Sequence, residues 1–199
     1  MESETLTKED TPMLVQDKMT PRPIVVSPHI PAADALNMMK DGRFRRLPVV
    51  QGSKLVGIVT DRDLRESASA NAAVGDIMHK QPLTIQATDR LETAALMMRN
   101  NKVGALPVMQ NKTLVGIITE SDIFDTFLDM MGIRGPGRRL QLTLPDVAGS
   151  LASVTQIISE YNCNICNIVY PGDGELIVRL EDGDIDGAAS ALKKAGYIK

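Results

Sequence analysis

The sequence predicts a mixed α/β (α+β) fold of three small units: two β-α-β-β-α units followed by one βαββαβ unit. Three observations support this prediction. A long stretch of the chain repeats without a gap. Within each copy, runs rich in β-branched residues alternate with a segment of helical periodicity. Residues 139–199 alternate in the same manner but do not match the repeat.

The repeat aligns residues 15–67 with residues 74–126 at an offset of 59, and 17 of 53 aligned positions are identical. We call these segments the first and second repeats. The identical pairs include Met19 with Met78, and the Leu-Pro-Val of residues 47–49 recurs at 106–108. A duplicated unit of this size predicts two copies of one α/β unit packed against each other.

Each repeat is predicted to contain the same elements in the same order. A short polar helix precedes an extended segment, PIVV or PLTI. An amphipathic helix follows, over residues 31–40 or 89–100, and in the second repeat Asp89 and Glu92 have the spacing of a capping box. Two strands, LPVV and LVGIVT or LPVM and LVGIIT, then lead into a closing helix that starts at acidic residues.

Composition excludes several classes of function. A net charge of -3 and a pI near 5.4 give no basic surface for nucleic acid, and 3% aromatic residues provide no platform for stacking bases. No apolar run reaches the roughly 20 residues that a membrane span requires. The N-terminal segment lacks the apolar stretch of a signal peptide, so we expect a cytoplasmic protein.

The motif Gly-Ile-x-Thr-x-x-Asp ends both predicted hairpins, with Thr60 and Asp63 in the first repeat and Thr119 and Asp122 in the second. One interpretation is structural: the threonine caps the closing helix, and the aspartate stands in its first turn. The other is a binding site. Free amides at a helix start suit an anion, and a carboxylate accepts from the two hydroxyls of a ribose.

With these motifs, residues 14–131 resemble a pair of CBS domains, a Bateman module. The resemblance implies two clefts for adenosine-containing ligands such as AMP, ADP, ATP, NAD(H) or S-adenosylmethionine. It also implies that Thr60, Asp63, Thr119 and Asp122 contact the ribose and phosphate. No catalytic cofactor is implied.

The repeats differ in charge. The first carries four arginines that the second lacks: Arg43, Arg45, Arg46 and Arg62. The matching residues of the second are Lys102, Gly104, Ala105 and Ser121. In related modules, basic residues before Leu-Pro-Val meet phosphates, and guanidinium suits that geometry. A solvated basic face is the alternative. The asymmetry predicts unequal clefts, but the sequence leaves open which cleft the arginines serve.

The last third of the chain resembles an ACT domain, an amino-acid-sensing module, through LPDVAGSL at residues 144–151 and the Asn-Ile pair that starts at residue 164. The resemblance implies that Asp146, Gly149 and Asn164 hold an amino acid; dimerisation is the alternative role. Ala148 replaces the usual proline, and the last strand is short. The preceding GIRGPGRR is predicted to be a hinge linker.

The predicted domains are therefore a tail over residues 1–13, CBS domains over 14–72 and 73–132, a linker over 133–138 and an ACT domain over 139–199. With two histidines and no nucleophile or metal constellation, no catalytic or metal-binding residue is predicted, and Cys163 and Cys166 are interpreted as packing residues.

This domain order resembles the acetoin-utilisation AcuB-like regulatory family. We expect a non-catalytic sensor that dimerises through its CBS and ACT interfaces and acts on an unidentified protein. An oligomerisation adaptor with vestigial clefts is the alternative, and a nucleotide hydrolase is the third hypothesis.

Overall fold

The computed structural model describes residues 12–67 and 69–198, so most of the predicted N-terminal tail lies outside the described residues. The chain divides into two compact units, one up to Phe124 and one from Asp125. Each unit is described by itself.

The first unit contains both repeats. Elements of the first repeat are α1 (Val15–Lys18), β1 (Thr20–Pro21), α2 (Ala32–Gly42), β2 (Arg46–Gln51), β3 (Lys54–Thr60) and α3 (Asp61–Glu66). Elements of the second are α4 (Val74–Ile77), β4 (His79–Lys80), β5 (Ile85–Gln86), α5 (Leu91–Asn101), β6 (Ala105–Gln110), β7 (Thr113–Thr119) and α6 (Glu120–Met130), which continues past the unit boundary.

The two repeats exchange their opening segments. One sheet has the order β2-β3-β4 and the other β1-β7-β6-β5. β1 therefore leaves its own repeat and pairs antiparallel with β7, where Thr20 lies opposite Ile117. β4 does the reverse and pairs with β3, where His79 lies opposite Ile58. Each sheet is completed by a strand from the other repeat.

The apolar cores follow the same exchange. Val15 of α1 is fully buried in the core built around the second repeat's sheet, and Val74 of α4 is fully buried in the core of the first. Burying a valine side chain contributes about 1.5–3 kcal/mol, so each repeat depends on its neighbour for part of its stability. We therefore expect the repeats to fold as one unit rather than as two independent ones.

The extended segments and the capping box differ from the sequence prediction. In PIVV only Val26 pairs, as an isolated parallel bridge to Val49, and PLTI contributes only its last residue, Ile85, to the two-residue strand β5. The predicted capping box at Asp89 is wrong. Arg90 is the N-cap of α5, and the Asp89 carboxylate instead accepts a hydrogen bond of 2.9 Å from the Gln86 amide in the preceding turn.

The second unit is a three-stranded antiparallel sheet of order β8-β10-β9 with two helices packed on one face. Its elements are β8 (Arg138–Thr143), α7 (Ser150–Glu160), β9 (Asn164–Gly172), β10 (Glu175–Glu181) and α8 (Ile185–Lys194). The predicted last strand is not formed among the residues described, up to Ile198. α8 continues to Lys194, and Gly196 then turns the chain with a positive φ of +84°. As a result, only the Tyr197 carbonyl oxygen reaches β8, where it accepts a hydrogen bond of 2.8 Å from the Thr143 amide.

The segment predicted to be a linker, residues 133–138, is held against this sheet, and its last residue begins β8. Arg179 of β10 donates from Nη1 to the Gly137 carbonyl oxygen at 3.0 Å. Asn167 of β9 donates from Nδ2 to the Met130 carbonyl oxygen at 2.8 Å. These hydrogen bonds hold the chain at Met130, just before the glycine-rich stretch, and at Gly137, within it.

Candidate ligand-binding site

Both Thr-x-x-Asp motifs fold into the same capping structure at the end of a strand. In the second repeat, Asp122 Oδ2 accepts from the Thr119 amide at 2.8 Å and from its hydroxyl at 2.7 Å. In the first repeat, Asp63 Oδ2 accepts from the Thr60 amide at 2.9 Å and from its hydroxyl at 2.7 Å. The capping role that the sequence left open is therefore present in both repeats. The role in ligand binding stays a prediction.

A cleft of about 640 Å³ opens beside the second motif, and both repeats line it. We call it the Asp122 cleft. The second repeat contributes Ile117, Thr119, Glu120, Ser121 and Asp122. The first contributes Thr20, Arg22, Pro23, Ile24, Arg43, Phe44, Arg45 and Arg46. Three of the four predicted arginines thus meet the threonine and aspartate of the other repeat, a pairing that the linear sequence leaves undetermined.

Gly104 makes room for one of these arginines. A Cβ at Gly104 would lie 2.0 Å from Arg46 Nη2, so the guanidinium occupies the space that a side chain would fill. Arg46 Nη2 also lies 3.8 Å from Glu120 Oε2, with the two side chains 29% and 67% exposed. The separation of 3.8 Å is too long for a hydrogen bond, and the pair is open to solvent, so Glu120 holds the guanidinium only weakly against an anionic ligand.

Asp63 is surrounded differently. Its Oδ1 lies 3.3 Å from Nε2 of His79, which β4 brings from the second repeat. Partial burial would raise the pKa of Asp63, but the hydrogen bonds from the Thr60 hydroxyl and amide and the nearby His79 outweigh it. The pKa of this carboxyl is therefore lower than its ordinary value.

Arg62 is the one predicted arginine outside the Asp122 cleft. Its Nε donates to Glu66 Oε1 at 2.8 Å, one helical turn further along α3, and its side chain is 81% exposed. Its counterpart Ser121, in contrast, lines the Asp122 cleft.

Sequence reasoning missed Arg22, Phe44 and Glu120 as lining residues of the Asp122 cleft and did not connect His79 with Asp63. The alignment of the repeats pairs Arg22 with Gln81, so the charge difference was available as a signal. The exchange of β1 and β4 places Thr20 and His79 beside the opposite repeat, and no pattern in the sequence predicted this exchange.

Comparison with known proteins decides the family. The family model for the CBS domain matches residues 15–70 and again residues 74–129. The chain belongs to the CBS domain family. The two repeats are its two CBS domains, as the sequence motifs predicted.

Solved structures of CBS proteins align with about three fifths of the chain. A Vibrio cholerae protein named AcuB for acetoin utilization is 31% identical with a TM-score of 0.57, covering 62% of this chain and 96% of that one. CBSX2 of Arabidopsis thaliana, solved with AMP, is 32% identical with a TM-score of 0.55, covering 59% and 97%.

The CBS domain pair of protein MJ0100 was solved with 5-methylthioadenosine and S-adenosyl-L-methionine. It is 27% identical with a TM-score of 0.56 and covers 59% of this chain and 97% of that one.

Two of the curated relatives are much longer proteins than the region they share with this chain. An inosine-5'-monophosphate dehydrogenase of Korarchaeum cryptofilum is 36% identical over 102 residues, 51% of this chain but 21% of the enzyme. Protein MJ1225 of Methanocaldococcus jannaschii is 32% identical over 139 residues, which is 61% of this chain and 50% of that protein. The chain thus spans half or less of the length of these relatives.

In the second unit, the residues predicted to hold an amino acid lie on two different parts of the fold, the turn before α7 and the start of β9. Asp146 and Gly149 are exposed before α7, where Gly149 is the N-cap at φ +90. Asn164 donates from Nδ2 to Glu181 Oε1 across the sheet at 2.9 Å. A smaller cleft of about 350 Å³ lies instead beside the segment of residues 132–136 and is lined in part by Arg179.

The two cysteines differ from each other. Cys163 packs against the core of the second unit, and burial, with a contribution from Asp184, raises the pKa of its thiol. The packing interpretation is wrong for Cys166, which is exposed on β9 with Sγ 3.3 Å from the Arg179 carbonyl oxygen. Residues 12–67 and 69–198 contain no group of three His, Cys, Asp or Glu side chains placed to hold a metal ion. Over the same ranges, no helix has the length and apolar character needed to cross a membrane.

Proposed function

We propose that the protein is a non-catalytic sensor that binds a phosphorylated adenosine ligand, of the AMP, ADP, ATP or NAD(H) class, in the Asp122 cleft. One observation carries this proposal: arginines of the first repeat and the Thr119–Asp122 pair of the second line the same cleft. A carboxylate suits a ribose diol and guanidinium groups suit phosphate, and here both are present together.

Size and charge support the proposal. A volume of about 640 Å³ is in the range of small-molecule sites. Four arginines line the cleft against two acids, Glu120 and Asp122, which favours an anionic ligand. The structures of CBSX2 with AMP and of MJ0100 with S-adenosyl-L-methionine are those of relatives that hold adenosyl ligands. S-adenosyl-L-methionine, a sulfonium cation, and 5-methylthioadenosine, a neutral thioether, both lack a phosphate and would make less use of these arginines.

Thermal unfolding and titration calorimetry with AMP, ADP, ATP, NADH and S-adenosylmethionine test the proposal. A ligand at a hundred times its dissociation constant should add about 2.7 kcal/mol to the free energy of unfolding. Asp122→Ala should weaken binding without unfolding the protein, whereas the exposed Glu92→Ala on α5 should leave affinity unchanged. Binding equal in wild type and Asp122→Ala would refute the ribose assignment.

Arg43 and Lys102 provide a matched pair for the phosphate assignment. Both follow an eleven-residue helix as its C-cap, at φ 55 and φ 54, so alanine meets the same backbone strain at each. Only Arg43 lines the Asp122 cleft. Arg43→Ala should weaken AMP binding about tenfold, the loss expected for one charge-assisted hydrogen bond, and Lys102→Ala should not. Equal effects of the two substitutions would contradict a phosphate site at Arg43.

For the second unit, we propose an ACT-type domain over residues 139–199, after CBS domains over 14–72 and 73–132 and a connecting segment over 133–138. The order β8-α7-β9-β10-α8 supports this assignment. Asp146, Gly149 and Asn164 are the proposed contacts for an amino acid. A thermal-shift screen of the amino acids, repeated with Asp146→Ala, tests the site: a shift that survives the substitution would contradict it.

The second candidate function is an oligomerisation adaptor. It is favoured by exposed apolar side chains in the second unit, among them Val147, Ile168 and Tyr170, which are 66%, 42% and 53% exposed. Sedimentation of wild type and Ile168→Lys distinguishes the candidates when combined with calorimetry. A dimer lost on substitution, together with no nucleotide binding, would favour the adaptor. Turnover of ATP abolished by Asp63→Ala would instead indicate an enzyme.

A further inference from the structure

His79 sets the two halves of the CBS pair apart. Its imidazole Nε2 lies 3.3 Å from Asp63 Oδ1, while Asp63 Oδ2 is already used by the amide and hydroxyl of Thr60. Both carboxylate oxygens of Asp63 therefore have protein partners. An imidazole that carries its proton on Nε2 donates to a carboxylate whether or not Nδ1 is also protonated, so this contact does not require a charged histidine.

The exchange of strands holds His79 in this position. β4 pairs with β3 at His79 and Ile58, only two residues before Thr60. The symmetry-related residue in the Asp122 cleft is Thr20 of β1, which pairs with Ile117, two residues before Thr119. A threonine is much shorter than a histidine. The two aspartates thus face different side chains at equivalent places in the fold.

Charge at the Asp63 side also differs. Where the Asp122 cleft has Arg22, Arg43, Arg45 and Arg46, the aligned positions of the second repeat carry Gln81, Lys102, Gly104 and Ala105. Arg62, the nearest arginine in sequence, is bonded to Glu66. A ribose bound at Asp63 Oδ1 would have to displace the His79 imidazole, and the aligned positions of the second repeat offer one lysine in place of four arginines.

We propose that His79 determines ligand occupancy: by engaging Asp63 Oδ1 it closes the first repeat's ribose site, so that each chain holds one nucleotide, in the Asp122 cleft. The inference rests on the proposed function for the identity of the ligand. Residues 20 and 79 occupy equivalent positions in the two repeats. At this position, threonine allows a ribose diol to bind the neighbouring aspartate, whereas histidine prevents it.

Reciprocal substitutions test this role on the full chain. Calorimetry with AMP and with ATP should give one site per chain for wild type and two for His79→Thr. In His79→Thr, the amide resonances of Thr60 and Asp63 should shift on addition of AMP, and in wild type they should not. Thr20→His should weaken binding in the Asp122 cleft by about tenfold, the effect of one hydrogen bond to a charged group. Thermal unfolding of each variant checks that it is folded.

The outcomes separate this inference from the proposed function. One site in wild type and one in His79→Thr, or two equivalent sites in wild type, would overturn the role of His79 while the proposed function stands. No site in wild type but one in His79→Thr would support the role of His79 and refute the Asp122 cleft. No binding to any variant would overturn both.

Discussion

At the scale of single residues, three of the four defined positions of the repeated motif Gly-Ile-x-Thr-x-x-Asp have a structural explanation: the glycine, the threonine and the aspartate. The threonine and aspartate form a reciprocal cap that starts the closing helix. The glycine lies under the exchanged strand: a Cβ at Gly57 would come 2.4 Å from Met78 Sδ, and one at Gly116 would come 2.3 Å from Met19 Sδ. Packing, and not backbone conformation, requires glycine here.

Alanine at either glycine should therefore destabilise the CBS pair. Gly57→Ala and Gly116→Ala should each lower the free energy of unfolding by about 1–3 kcal/mol, because the added methyl forces the methionine and the exchanged strand apart. Urea unfolding measures the change. Gly135→Ala is the control, since a Cβ there would meet its nearest atom, the Gly132 carbonyl oxygen, at 3.4 Å. Equal stability of Gly116→Ala and Gly135→Ala would contradict this account.

The lowered pKa of Asp63 predicts a pH dependence of stability. A carboxyl whose pKa is lower in the folded than in the unfolded state stabilises the fold above its unfolded pKa, about 3.9, and this contribution is lost as pH falls through the folded value. The difference in free energy of unfolding between wild type and Asp63→Asn should include the full contribution of the Asp63 carboxylate at about pH 5. It should shrink below about pH 4. Chemical unfolding across pH 2.5–7 measures it, and a difference that does not change with pH would contradict the assignment.

At the scale of elements, the glycine-rich segment shows how tertiary contacts override a local signal. Glycine and proline at residues 132–137 predict a hinge. The structure instead gives their carbonyl groups partners on β9 and β10: Arg179 bonds to Gly137, and the Cys166 thiol lies 3.6 Å from the Pro136 oxygen. These bonds hold the segment against the sheet of the second unit, and its role as a linker between the predicted domains stays a prediction.

Removing Arg179 should release this segment. Arg179→Ala should speed amide hydrogen exchange over residues 132–137 by about tenfold or more, since a hydrogen bond to a charged donor contributes about 1.5–3 kcal/mol. Exchange measured by mass spectrometry on the intact protein checks this. Arg139→Ala serves as the control, because Arg139 is exposed and bonds to Gln141 on its own strand. Equal exchange in the two variants would show that Arg179 does not hold the segment.

At the scale of the whole molecule, the CBS pair is one cooperative unit because each repeat completes the sheet and core of the other. β4 and Val74 complete the sheet and the core of the first repeat, while β1 and Val15 complete those of the second. The same exchange places a residue of each repeat beside the aspartate of the other. The stability of the CBS pair and its proposed ligand occupancy therefore both depend on the exchange of β1 and β4.

A single repeat should accordingly fail to fold. A fragment of residues 14–72 lacks β4 and Val74, so its sheet has an uncovered edge and its core an unfilled position. We expect a poorly dispersed amide spectrum for this fragment and a native-like spectrum for residues 14–131. Mixing fragments 14–72 and 73–131 should restore dispersion. A cooperatively folded 14–72 fragment would contradict the mutual dependence of the repeats.

The sequence by itself determined the duplication, the order of the main strands and helices, the positions of the two Thr-x-x-Asp motifs and the charge difference between the repeats. These depend on periodicity and on contacts a few residues apart, which local sequence records directly. The short strands and the cap of α5 were predicted less well, because pairing partners far along the chain decide them. Only the tertiary structure decided which aspartate the arginines meet and which one His79 meets. Both follow from the exchange of β1 and β4, a long-range pairing driven by burial of apolar surface, and no residue pattern within one repeat encodes its partner.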